Sequence, residues 1–278
     1  MKKLFLFGIL SASISLFVSC GHEEVVKKTY DYQRADSLPP EYTSSLGNIR
    51  VSIEDAAVLN KMLKEKGYSY NASVLNSSGK ATGYSNSKMQ AMNLGVYGSD
   101  LNYALGYEQS QDVLNGFKSI LELAKKLGVE SAFNQEMMQK LTNAADTSSD
   151  KSIMLTKAYR HAEDNLHSNE RAALATLMVV GGWVETLYIY TSNLKSKPGT
   201  GEINQKVWDH VMTYKDAITM LGVWKKNGNK DCEEVLNDIS TILGGPISPV
   251  IESKGNIQPA QIDGLHAALL TLRAKITG

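Results

Sequence analysis

The sequence predicts an all-α protein: a multi-helix bundle of helical hairpins around one central apolar helix, preceded by a flexible tether. Three observations predict it. From Ser52 to Ile276 the apolar residues recur at helical spacing. The block Ala172–Tyr190 is almost wholly apolar, with Glu185 as its single charge. No alternating apolar–polar run of strand length stands between turn signals, as an all-β fold would require. The chain divides into residues 1–19, 20–50 and 51–278, the last being the helical globular domain.

Each element follows from local signals. Ser52 reads as a helix N-cap, with Asp55 three residues on, and Ile53, Ala56, Ala57, Leu59 and Leu63 run to a stop at Gly67. Residues 67–84 read as a polar loop. A helical stretch then spans Asn86 to Leu127 and stops at Gly128. It contains Gly95, Gly98 and Gly106, each costing a helix about 1 kcal/mol against alanine. The spacing predicts a break near Gly98, with close approach of a neighbouring helix as the alternative. Helices are predicted over 130–144 and 149–167, then the apolar helix from Ala172, with Ser168 as its N-cap. One internal charge and the Gly181-Gly182 pair favour a buried central helix over a membrane span. Ile203–Asn227 and Asp231–Leu243 continue the pattern, residues 244–256 read as irregular, and Pro259 opens a last helix to Ile276.

The N-terminus carries a targeting signal. Lys2 and Lys3 precede an apolar run from Leu4 to Val18, then Ser19 and Cys20. This order is that of a secretory signal peptide, too short for a permanent span. The segment Leu16-Phe17-Val18-Ser19-Cys20-Gly21 resembles a bacterial lipobox, with Phe17 in place of the usual leucine. The resemblance implies acylation of Cys20, palmitate among the chains, and a lipoprotein anchored in the outer membrane on its periplasmic or cell-surface face. Residues 20–50, with Pro39-Pro40 and many polar side chains, read as the lipid-anchored linker. His22-Glu23-Glu24 resembles the surface-export signals of Bacteroidota lipoproteins. Asp36-Ser37-Leu38 resembles the O-glycosylation sequon of that phylum, which implies modification at Ser37.

Composition excludes several partners. The chain holds 29 basic and 29 acidic side chains. Loss of Lys2 and Lys3 with the signal segment leaves a slight acidic excess, unsuited to nucleic acid or to polybasic attachment to anionic lipid. Only Cys232 remains beside the acylated Cys20, so no intramolecular disulfide forms. Cys232 shares helical spacing with Val235, Leu236 and Ile239 and reads as a buried small hydrophobe.

The chemistry-bearing residues form no recognisable catalytic set. Gly-x-Ser-x-Gly, the phosphate-binding Gly-x-x-x-x-Gly-Lys-Ser/Thr and His-Glu-x-x-His are all missing, and no cofactor is predicted. Two Asp-x-x-His pairs, Asp164 with His167 and Asp263 with His266, place both side chains on one helix face. They are compared with the Glu-x-x-His motifs of ferritin-like proteins, where Glu108 and Glu185 would be the further ligands. Aspartate replaces the longer glutamate in both, and the prediction is no metal, the pairs lying solvated on helix surfaces. Tyr97, Tyr107 and Trp183, beside Glu108 and Glu185, form the candidate ligand pocket between helices.

The segments Gly95-Val96-Tyr97-Gly98-Ser99-Asp100-Leu101 and Asn169-Glu170-Arg171 through Gly182-Trp183-Val184-Glu185 look similar to stretches of uncharacterised helical lipoproteins of Bacteroidota. The resemblance implies an exported helical domain and transfers no activity. The leading expectation is a non-enzymatic, lipid-anchored domain of the cell envelope that binds a protein or small molecule. A carrier or sensor with the Glu108–Glu185 pocket is second, and a ferritin-like metal-binding protein third.

Overall fold

The computed structural model describes residues 38–143, 146–168 and 171–278. Residues 1–19, where the signal peptide was expected, and the expected modification sites Cys20 and Ser37 lie outside the described residues. Ten α-helices and no strand occur among the described residues, so the fold is an all-α multi-helix bundle.

The first helix, α1 (Pro40–Glu65), begins before the expected boundary at residue 51. Residues 40–50 are its opening turns and not part of a linker. Pro40 suits the first helical turn, where its missing N–H has no partner to lose. Tyr42, Leu46 and Ile49 fall on one face and are buried. Ser52 is therefore mid-helix rather than a cap. Two 3₁₀ turns, Ala72–Val74 and Ser78–Gly83, order the expected polar loop.

The next helix, α2 (Ser87–Gly106), runs unbroken through Gly95 and Gly98. The break lies at Glu108, whose φ of 58° is left-handed. Glycines inside α2 instead permit close approach. A β-carbon on Gly95 would fall on the carbonyl of Met178, and one on Gly181 would fall on that of Met92. α3 (Ser110–Leu127) buries Val113, Phe117, Ile120, Leu123 and Leu127, and it ends at Gly128 with φ 63°. The predicted 130–144 helix is a 3₁₀ turn, Glu130–Ala132, followed by α4 (Gln135–Thr142).

After α5 (Ser148–Ser168) comes the central helix, α6 (Ala172–Ser196). Ser168 closes α5, donating to the Asp164 carbonyl at 2.8 Å, and Arg171 stands at the N-cap of α6. By length and composition α6 is the one described helix able to cross a membrane, yet 94% of its apolar window is buried inside the bundle. Helices α1, α2 and α5 pack against it, as do α7 (Gly201–Met212), α8 (Tyr214–Lys226) and α10 (Pro259–Thr277). The remaining helix, α9 (Lys230–Glu252), passes through Pro246 and Pro249, where an irregular connection was expected. Its stripe of Ile239, Leu243, Ile247 and Val250 stays buried along the whole length, which offsets the two missing N–H donors.

Candidate functional site

Glu185 is completely buried on α6. Arg273, reaching over from α10, places its Nε at 2.7 and 2.9 Å from the two Glu185 oxygens. Its Nη2 donates to the Val74 carbonyl at 2.9 Å, and its guanidinium lies over the Tyr188 ring, 4.5 Å from the centroid. The guanidinium thus binds the covering turn, the central helix and an aromatic face together.

A second carboxyl shares this interior. Asp100 on α2 is 3% exposed, and its Oδ2 accepts the Asn76 backbone N–H at 2.9 Å. Its Oδ1 accepts from no N–H or O–H of the protein. Asp100 is hydrogen-bonded to Glu185, and two carboxylates cannot form that bond without a proton between them. Burial pushes the Asp100 carboxyl well above its usual range, and the Glu185 charge pushes the same way. Burial also raises Glu185, opposed by Arg273. Burial alone would lower Arg273, but Glu185 and Asp100 overcome it and hold the guanidinium charged. Asp100 is the member that keeps the proton, because Arg273 sits on Glu185.

Asp100 also lines a recess of about 310 Å³ beneath residues 72–78. Its other polar walls include Asn76, Ser77 and Tyr97, with Asp112 and Asn115 from α3 opposite. Tyr97 donates to the Ser77 carbonyl at 2.7 Å, and Tyr70 donates to Asp112 at 2.7 Å. No Lys, Arg or His side chain is among the lining residues.

The expected pocket residues disperse. Glu108 is 71% exposed and pairs with Lys64 at 3.0 Å, whereas Glu185 is buried with Arg273. Tyr107 packs against Tyr70 and Tyr103, and its hydroxyl has no hydrogen-bond partner. Trp183 stacks on His210 and donates to Thr213 at 2.9 Å. Of the five, Tyr97 stands with Asp100 at the recess.

The Asp-x-x-His pairs split as well. Asp164 and Asp263 are exposed, but both histidines are buried rather than solvated. His167 sits 3.4 Å from Glu163, which Arg50 also holds at 2.7 Å. His266 stacks on Tyr188 and contacts Thr191 at 3.1 Å. Among the described residues no group of three or more His, Cys, Asp or Glu side chains converges as metal ligands. Cys232 is fully buried, and burial raises its thiol far above the ordinary range, leaving it unreactive.

Two centres escaped sequence reasoning. Asp100 had a local signal only as a polar residue after Gly98, and Arg273 had none beyond the need of Glu185 for a cation. The second centre is Ser52 with His210. The Trp183 carbonyl can only accept, so His210 Nε2 carries the hydrogen at 3.1 Å, and Ser52 donates to Nδ1 at 2.5 Å. This contact ties α1, α6 and α7 together, with burial lowering the His210 pKa to about 4. So weak a base is suited to a fixed hydrogen bond and poorly suited to proton transfer near neutrality.

Comparison with protein-family models, with curated proteins and with solved structures gave no match.

Proposed function

We propose that this protein is a non-enzymatic, lipid-anchored binding domain of the cell envelope whose small-molecule site is the recess over Asp100. The observation that carries the reading is a polar recess of about 310 Å³ walled by Asn76, Tyr97, Asp100, Asp112 and Asn115 beneath the 72–78 turns. The recess lies at the lower end of ligand-pocket sizes, roughly 300–1,000 Å³. Its cover, residues 72–84, is built from short turns that Arg273 and Tyr97 pin to the bundle. A tethered helical domain with such a recess suits capture or sensing of a solute near the membrane, the acyl chains on Cys20 supplying attachment.

Native mass spectrometry of the protein purified from its own host tests this reading. Gly116 lines the recess, and a β-carbon there meets only Leu101 at ordinary contact distance. Gly116→Leu should fill the space without touching a charge. A small-molecule mass present on the wild type and lost from this variant is expected. Equal masses on both proteins would end the proposal.

A protein partner is the second reading, favoured by a groove of about 550 Å³ lined by the half-exposed Val58 and Ile153. Val58→Asp should then abolish co-purification of an envelope protein.

A further inference from the structure

Three of the four large apolar side chains that stand exposed among the described residues share one face: Val51 and Val58 on α1, and Ile153 on α5. Val51 and Val58 are two turns apart on the same side of α1. Val58 and Ile153 line the groove of about 550 Å³ between the two helices. That groove adjoins a deeper slot of about 90 Å³, and Glu54, Thr156 and Arg160 line both. Ile53, Leu155 and Val179 wall the slot, and Gly95, Gly98 and Gly182 of the central crossing also line it. Its volume equals about three waters at ~30 Å³ each, room for one branched aliphatic side chain and too little for an acyl chain.

We infer that this cleft docks an acidic amphipathic helix of a partner protein, with one aliphatic side chain of that helix seated in the slot. This rests on the groove being a protein-binding face and adds the partner's chemistry. Length and shape fit a helix. Along α1 the lining runs from Arg50 to Lys61, about 16 Å at ~1.5 Å per residue, or roughly three turns. Helices that bind in grooves use apolar anchors at helical spacing over such a length. The slot offers one anchor a buried seat, and the exposed Val58 and Ile153 offer the others an apolar wall.

Charge selects the sign of the partner. Arg50, Lys61, Lys157 and Arg160 line the cleft against Glu54 and Glu163, a positive excess in a chain whose charges balance as a whole. Arg50 is held by Glu163 at 2.7 Å, and Arg160 by Glu54. Lys61 reaches Glu65 only at 3.9 Å, and Lys157 has no ion-pair partner among the described residues. These two exposed ammonium groups remain at the rim, where charge governs partner choice and encounter rate. A second copy of the chain would bring the same positive excess against itself. A bilayer, being flat, would not reach the slot between the helices.

The test is fluorescence anisotropy with the mature full-length protein in phosphatidylcholine nanodiscs, empty nanodiscs serving as the blank. The probe is a labelled helical peptide of about 14 residues, with leucines on one face and glutamates flanking them. One twin carries lysine for every glutamate, and another carries serine for the central leucine. The expected result is saturable binding of the acidic peptide, weakened by salt and about fivefold by Lys157→Glu. The lysine twin should bind about tenfold more weakly or worse, because like charges then meet at the rim. The serine twin should lose binding, as should Thr156→Trp, which blocks the junction of slot and groove, with helical circular dichroism unchanged. Lys157→Glu is exposed and breaks no ion pair, so it decides the matter if Thr156→Trp fails to fold. Acidic and basic peptides that bind equally, both blocked by Thr156→Trp, would overturn the acidic class and leave the groove a protein-binding face. Binding of neither would overturn both, and binding untouched by a folded Thr156→Trp would overturn the docking site. Flotation with phosphatidylglycerol vesicles in place of peptide binding would make the face a membrane contact. Dimerisation lost in Val58→Asp would make it a self-contact, and either result would overturn the proposal.

Discussion

Arg273 Nε lies 2.7 Å and 2.9 Å from the two oxygens of Glu185, joining the last helix to the centre of the most apolar one. Glu185 is fully buried and Arg273 is 14% exposed at its side chain, so the cost of breaking the pair falls on the carboxylate. Removing one partner of a buried pair leaves the other uncompensated, at about 3–5 kcal/mol. Arg273→Met should lose that much in urea denaturation. Glu185→Gln should lose less, because Arg273 keeps the Val74 carbonyl and some solvent. Equal losses would show that the carboxylate is not the costly member.

Glycines of the central crossing give a prediction of sign. In an ordinary helix Gly→Ala gains up to about 1 kcal/mol. At Gly95 the added methyl would meet the Met178 carbonyl and the Gly182 nitrogen, backbone atoms that cannot turn aside. Gly95→Ala should therefore destabilise by about 2 kcal/mol or more, as overpacking does. Gly222→Ala on α8, where nothing stands within 4 Å, should stabilise. Thermal melts of the two variants should move in opposite directions.

His210 predicts acid sensitivity. Its pKa is lowered to about 4 in the fold, first by burial, against 6.5 for a free side chain. Above pH 6.5 both states are neutral and the group contributes no penalty. Between 6.5 and 4 the unfolded chain takes up a proton that the folded chain refuses, so stability falls as pH falls. The full loss is about 3 kcal/mol. Asp100 works in the other direction, its raised pKa favouring the fold at low pH. Comparing His210→Gln with wild type isolates the histidine: the stability difference should shrink in the wild type's disfavour from pH 7 to 4.5. A pH-independent difference would remove the claim.

The proposed membrane attachment through Cys20 rests on the lipobox resemblance and can be tested directly. Cys20→Ala should move the protein out of the membrane fraction or leave its precursor uncleaved, since several acyl chains together anchor stably. Labelling of the variant by a palmitate analogue as strong as that of wild type would refute it.

Local periodicity determined the helical class, the stops at Gly67 and Gly128, the opening of the last helix at Pro259, and the Ala172–Tyr190 block as the buried centre. These depend on residues a turn or two apart, and the sequence holds that information directly. It also singled out Glu185, because one charge in an apolar helix must find a partner. Tertiary structure decided everything that depends on pairing across the chain. It supplied Arg273 and Asp100 as the partners of Glu185, turned Glu108 out to solvent, buried His167 and His266, and tied mid-helix Ser52 to His210. Where a weak local signal met a strong packing one, packing prevailed: the Tyr42, Leu46 and Ile49 stripe carries α1 back to Pro40, and the α9 stripe runs on through Pro246 and Pro249. The physical reason is that caps and breakers are worth about 1–3 kcal/mol each, while a buried stripe gathers a comparable gain at every turn.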